Sequence, residues 1–202
     1  MTLLIIAANF ICFLLELAQP SYAQNRFIIH YALVPDRLHA SALITSMFLH
    51  GGWLHLIGNM WFLWVFGSHV EDAMGSVKFL IFYLVCGVAS AVVQVATSLG
   101  SDVPTLGASG AIAGVMGAFL VLYPRARVVT LIFIVIFITT IELPAAIMLL
   151  YWFAIQLLSG LSSLNSLSTY AGGIAWFAHV GGFLAGIVLL RFFRQSRPRY
   201  SY

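Results

Sequence analysis

Apolar runs and short polar breaks alternate along most of this chain. Six stretches, residues 2–18, 53–69, 77–99, 107–123, 144–160 and 173–193, are long enough, or nearly so, to span a bilayer; one helical crossing takes roughly 20 residues. The breaks between them are short. Val70 to Ser76 separates the second stretch from the third, and Gly100 to Pro104 the third from the fourth. Pro144 fits the first turn of the fifth helix, where a missing N–H costs nothing. Two segments break the alternation. Pro20 to His50 is a long mixed loop with Arg26, Asp36 and Arg37 among apolar residues, and its length and content suit the membrane interface. Residues 128–141 are apolar but short for a span, and their Val, Ile and Thr content disfavours a helix. A re-entrant or interfacial segment, buried against protein, is expected there.

Composition makes the membrane reading firm. The 202 residues are 62% hydrophobic and 7% charged, with mean hydropathy +1.03, whereas a soluble domain carries about a quarter charged residues. The expected class is an all-α integral membrane protein, one compact bundle over residues 1–202 without a separate soluble domain. The first run has no positive leader and holds Glu16 near its end, so it reads as a retained transmembrane helix, not a signal peptide. Cys12 and Cys86 both lie in apolar runs, which suits packing and argues against a disulfide framework or metal cluster. With six crossings and a cytoplasmic N-terminus, Lys78, Arg125, Arg127, Arg191, Arg194, Arg197 and Arg199 fall inside, and only Arg26 and Arg37 outside. That distribution obeys the positive-inside rule. It places both termini in the cytoplasm, and a prokaryotic inner membrane is the expected location.

The same topology brings polar residues to one depth. The second, fourth and sixth helices run from outside to inside, so His55 and Asn59, Ser109, and His179 all fall in the outer part of a helix. Polar side chains inside a bilayer mark functional sites by default. Ser109 could be a nucleophile once a base takes its proton, and His179 is the candidate base. His55 and Asn59, spaced i, i+4, share a helix face and can both donate to an oxyanion, as can the unpaired Ser109 backbone N–H. Asp102 is the only acid near enough to orient His179, so a dyad is expected in preference to a triad. Ser109, Ala113 and Gly117 on one helix, and His179, Gly182 and Gly186 on another, form small-residue stripes that permit close approach. Singly, each residue could be packing or interhelical glue; together at one depth they point to hydrolysis inside the membrane.

These residues closely resemble the rhomboid family of intramembrane serine proteases. The likeness runs through Met47 to Met60 (Met-Phe-Leu-His-Gly-Gly-Trp-Leu-His-Leu-Ile-Gly-Asn-Met), Phe66-Gly67, Val70-Glu71-Asp72, Gly107-Ala108-Ser109-Gly110 and Ala178-His179-Val180-Gly181-Gly182. It implies a six-helix rhomboid bundle of the bacterial type. Ser109 would be the nucleophile and His179 the general base, with His55, Asn59 and the Ser109 amide as the oxyanion hole. It further implies that the fifth helix, around Trp152 and Phe153, gates substrate laterally and that Leu161 to Gly172 forms a cap. Two features depart from some bacterial members. The first loop lacks a Trp-Arg pair, and Ala113 stands where a Tyr would pack on the catalytic histidine, leaving Trp176 or Phe177 to hold the ring. The expected partners are transmembrane protein substrates and the lipid bilayer, with no metal, cofactor or nucleic acid. The alternative is a catalytically silent rhomboid-like protein that binds and guides transmembrane segments. A small transporter ranks below both, since neither inverted repeats nor mid-membrane charges are apparent.

Overall fold

The computed structural model of the chain describes residues 1–134, 137–165 and 175–194. Its long helices are α1 (Thr2–Leu17), α4 (Trp53–Met74), α5 (Ser76–Thr97), α6 (Ser109–Leu122), α7 (Ala145–Asn165) and α8 (Trp176–Phe193). Each matches one expected apolar stretch. Helices Ser76–Thr97, Ala145–Leu164 and Trp176–Phe193 are long and apolar enough to cross a membrane, while Thr2–Leu17 and Ser109–Leu122 are shorter apolar helices. The chain is thus an α-helical membrane bundle.

Contacts along the helices fix their directions. Gly107, just before α6, meets His55 at the start of α4, and Phe119 near the end of α6 meets Phe66 and His69. Gly182 lies against Gly110, and Gly186 against Gly114. Helices α4, α6 and α8 therefore run parallel. Helix α5 runs the other way, because Ser90 faces Gly110 and Cys86 faces Gly114. So does α7, whose Gly160 and Phe153 meet Phe177 and Phe183 of α8. Helix α1 opposes α4, with Thr2 beside Glu71 and the Phe13 ring 5.0 Å from that of Trp53.

Glu71 ties three helix ends together. Its carboxylate accepts from the Thr2 N–H at 2.7 Å and the Thr2 hydroxyl at 2.8 Å, and from the Ser76 hydroxyl at 2.5 Å. An acid at the N-terminus of α1 satisfies otherwise unpaired amides. Between α4 and α5 the chain turns at Gly75, whose φ of 82° a residue with a Cβ rarely adopts.

The packing of α8 against α6 is the closest in the bundle. A Cβ on Gly182 or Gly186 would overlap the carbonyl oxygen of Gly110 or Gly114, and one on Gly117 the carbonyl oxygen of Phe183. The small face of α6 is therefore Gly110, Gly114 and Gly117. It runs one residue on from the expected Ser109 and Ala113, which leaves Ser109 at the edge of the contact.

The long first loop folds into short helices: α2 (Ser21–Tyr31), α3 (Ala42–Thr45), and 3-10 turns at Pro35–Arg37 and Ser46–Phe48. It grips the connection ahead of α6. Leu33 and Thr105 exchange both backbone hydrogen bonds, at 2.9 and 2.8 Å, and the Asp36 and Gly107 N–H groups donate to Ser101 O and Ser46 O.

Residues 128–141 depart from expectation. Strands β1 (Arg127–Ile134) and β2 (Phe137–Pro144) pair antiparallel, with Arg127 opposite Pro144 and Ile134 opposite Phe137. The β-branched run that disfavoured a helix here pairs with itself. Of its described side chains, Val128 packs against the core, whereas Val129 is 65% exposed and Leu131 52%. Its outer edges carry unpaired N–H and C=O groups that the hydrocarbon region does not tolerate, so the hairpin suits the polar boundary. Pro144 closes β2 instead of opening α7. The Ala145 N–H donates to Ala126 O across the hairpin's base.

Candidate active site

Three parallel helices begin at one end of the bundle, and the four polar residues stand on their first two turns. Ser109 is the first residue of α6, so its N–H lacks an intrahelical partner. Gly107 shapes the approach: its φ is 124°, and a Cβ there would lie 2.8 Å from both Cε1 and Nε2 of His55. Only glycine suits this position.

The structure brings Ser109 and His179 together. Ser109 Oγ lies 2.8 Å from His179 Nε2, although the two residues are 70 apart in the chain. The packing of α6 on α8 explains the distance, since backbones in contact from Gly110 and Gly182 onward leave room for one hydroxyl and one imidazole at the mouth.

His55 and Asn59 reach the same place from α4. The Gly51 N–H donates to His55 Nδ1 at 3.3 Å, so the ring proton sits on Nε2, the nitrogen facing Gly107. Asn59 Nδ2 also faces Gly107, 3.6 Å from where its Cβ would be. It is buried, and among the described residues it has no hydrogen-bond partner. A buried amide donor left unpaired is costly, and here it points at the segment carrying Ser109. Behind them, His50 fixes the loop to α1 by donating its N–H to Glu16 Oε2 at 3.3 Å. Its buried ring lies 5.1 Å from that of His55.

Sequence reading missed what holds His179 on its other side. Gln156 Oε1 of α7 lies 2.7 Å from His179 Nδ1, and the Trp152 ring lies 5.6 Å from the imidazole at an interplanar angle of 38°. Trp152, not Trp176 or Phe177, fills the place beside the ring; Phe177 instead meets Gly160. Phe153 stacks on Phe183 at 4.8 Å. Asp102 is exposed in its loop and makes no bond to His179. A signal for Gln156 was present: it is a lone amide in the apolar run from Ala145 to Leu158, the criterion that had selected Asn59.

A crevice beside Ser109 is lined by Ser46, Ser90, Thr105 and Gly107 among others. Among the described residues, no three His, Cys, Asp or Glu side chains are placed to hold a metal ion. Most of the expected cap, residues 166–172, lies outside the described residues, as do Arg197 and Arg199.

The rhomboid domain family matches residues 37–196 of this chain. The chain is similar to presenilin-associated rhomboid-like protein, mitochondrial, of Homo sapiens, 32% identical over 193 residues that cover 91% of this chain and 45% of that protein. RHOMBOID-like protein 5 of Arabidopsis thaliana is 30% identical, over 79% of this chain and 46% of the relative. Rhomboid protein 1, mitochondrial, of Saccharomyces cerevisiae is 28% identical, over 81% and 45%. These relatives are eukaryotic where bacterial ones were expected, and the chain spans a little under half their length. With the family match covering most of the chain and its motifs meeting at the mouth of a helical bundle, this multi-pass membrane protein belongs to the rhomboid family.

Proposed function

We propose that the chain is an intramembrane serine endopeptidase that hydrolyses a peptide bond in or near transmembrane segments of other membrane proteins. The observation that carries this reading is the 2.8 Å contact between Ser109 Oγ and His179 Nε2, with the Asn59 amide, unpartnered among the described residues, facing Gly107 just before Ser109. His179 takes the hydroxyl proton as Oγ attacks the substrate carbonyl. The negative charge that develops on the carbonyl oxygen is met by His55 Nε2–H, Asn59 Nδ2–H and the Ser109 N–H, donors held in place by α4 and the start of α6 before substrate arrives. His179 then protonates the leaving amine, and water cleaves the acyl-enzyme by the same steps reversed. Serine–histidine chemistry of this kind needs no metal or cofactor.

A helical substrate hides its carbonyls in its own hydrogen bonds and must unwind before attack. Small or helix-breaking residues near the cut are therefore preferred. Admission is proposed to be lateral, past Trp152 and Phe153 of α7. Six crossings with both termini in the cytoplasm follow from the charge distribution and put the site in the outer half of the bilayer. That orientation suits the proposed prokaryotic inner membrane and equally the organellar membranes implied by two relatives' names.

A fluorophosphonate probe tests the reading. The purified wild-type protein should be labelled at Ser109, and Ser109→Ala should not be. An unlabelled, inactive wild type would point instead to a silent protein that only binds transmembrane segments. Asn59→Ala should lower kcat for a transmembrane substrate by roughly 10²- to 10³-fold, the usual effect of removing one oxyanion donor. Unchanged kcat in that variant would remove Asn59 from the site.

A further inference from the structure

Gln156 is 5% exposed and lies one helical turn beyond Trp152. Its hydrogen-bonding surroundings favour one amide orientation. Nε2 lies 3.4 Å from the Trp152 carbonyl oxygen, a group that can only accept, so the NH2 end turns there. The reversed amide would set two acceptors face to face. Oε1 is therefore the atom 2.7 Å from His179 Nδ1. An amide oxygen cannot donate, so Nδ1 carries the single proton of the neutral imidazole. The lone pair of Nε2 is left aimed at Ser109 Oγ, 2.8 Å away. That is the tautomer a general base requires.

We propose that Gln156 is a positioning residue that fixes the tautomer and ring orientation of His179, in the place where soluble serine hydrolases use a carboxylate. This rests on the reading of Ser109 and His179 as nucleophile and base. Among the described residues no carboxylate hydrogen-bonds His179, and the fold supplies a reason. An ionised acid on α7 would have to be desolvated within the bundle, whereas an amide offers the same acceptor without the charge. Trp152 and Gln156 stand i, i+4 on one face of α7, so the ring is packed and hydrogen-bonded by a single helix. His179 is oriented for catalysis only while α7 lies against α8.

The test compares Gln156→Met, which keeps the side chain's length and loses its acceptor, with Gln156→Glu, which keeps an oxygen in place. Both are checked for wild-type melting temperature and detergent-particle size. Gln156→Met should lower kcat roughly 10- to 100-fold, the effect known for metal-bound histidines that lose their orienting partner, with KM within about twofold of wild type. Gln156→Glu should stay within a few-fold of wild type. In NMR spectra with isotope-labelled histidine, wild-type His179 should carry its proton on Nδ1, and Gln156→Met should mix the tautomers. Wild-type kcat in Gln156→Met, equal losses in both variants, or wild-type His179 protonated on Nε2 would each overturn the proposal. The NMR measurement on the wild type decides the matter even where a variant does not fold. A wild type that neither cleaves nor labels would overturn the proteolytic reading instead, and the tautomer measurement would still report on Gln156.

Discussion

Ser109→Ala should lower cleavage of a transmembrane substrate by at least about 10⁴-fold, and His179→Ala should do nearly the same. The double variant should be no worse than either single one, because in the proposed dyad hydroxyl and imidazole act as a unit and removing either leaves the other without a role. Folding should survive the serine change. Ser109 is half-buried at the first position of α6, beside the glycine face and not within it, and alanine is well tolerated in a helix. The measurement is turnover by purified protein in detergent, with melting temperatures of all variants alongside. Cleavage by Ser109→Ala at the wild-type rate would assign the activity to another nucleophile or to a contaminant, and the site described here would be wrong.

Substitution at Gly186 should have the largest effect on stability. Its missing Cβ faces the backbone of α6, where an added carbon would overlap the Gly114 carbonyl oxygen and lie 2.6 Å from the carbonyl carbon and 2.7 Å from Cα. A flexible side chain could move aside; a helix backbone can yield only by separating the two helices. Overpacking a core ordinarily costs about 1–3 kcal/mol, and a clash between backbones belongs at or above the upper end. Against a total stability of about 5–15 kcal/mol, Gly186→Ala should lower the melting temperature sharply and Gly186→Leu should not yield folded protein. Activity should fall with Gly186→Ala even in the folded fraction, because helix separation at this level also sets the Ser109–His179 distance. Gly58→Ala is the internal control. Nothing lies within 4 Å of the Cβ that substitution would add, so an interior helical position should be stabilised by about 0.5–1 kcal/mol. A Gly186→Ala protein as stable as Gly58→Ala would mean that α6 and α8 do not pack as closely as described.

Much of this molecule is legible in its sequence because the bilayer narrows the options. A backbone in hydrocarbon must satisfy its own hydrogen bonds, so long apolar runs become helices, and all six expected stretches did. The same solvent makes polar residues conspicuous, which is why Ser109, His179, His55 and Asn59 stood out and were found at one end of three parallel helices. Residues 128–141 were harder to read. They are as apolar as the helices around them, and periodicity cannot separate a short buried segment from a strand. The hairpin exists because Val128 to Ile134 has a partner strand, and pairing is a tertiary fact. Gln156 was passed over because a lone amide gives no hint of which side chain it will meet 23 residues away.

By itself the sequence determined the helices, their alternating directions and the shared depth of His55, Asn59, Ser109 and His179, because each depends on local composition and on the depth of a residue within its own helix. Tertiary structure decided which face of α6 meets α8, and so that Gly110 and Gly114 make the contact while Ser109 stays free beside it. It also decided that α7 rather than the start of α8 holds the His179 ring. A one-residue rotation of a helix about its axis leaves hydropathy unchanged, whereas a Cβ turned into the facing helix would overlap its backbone carbonyl oxygens, so only the glycine face can meet α8.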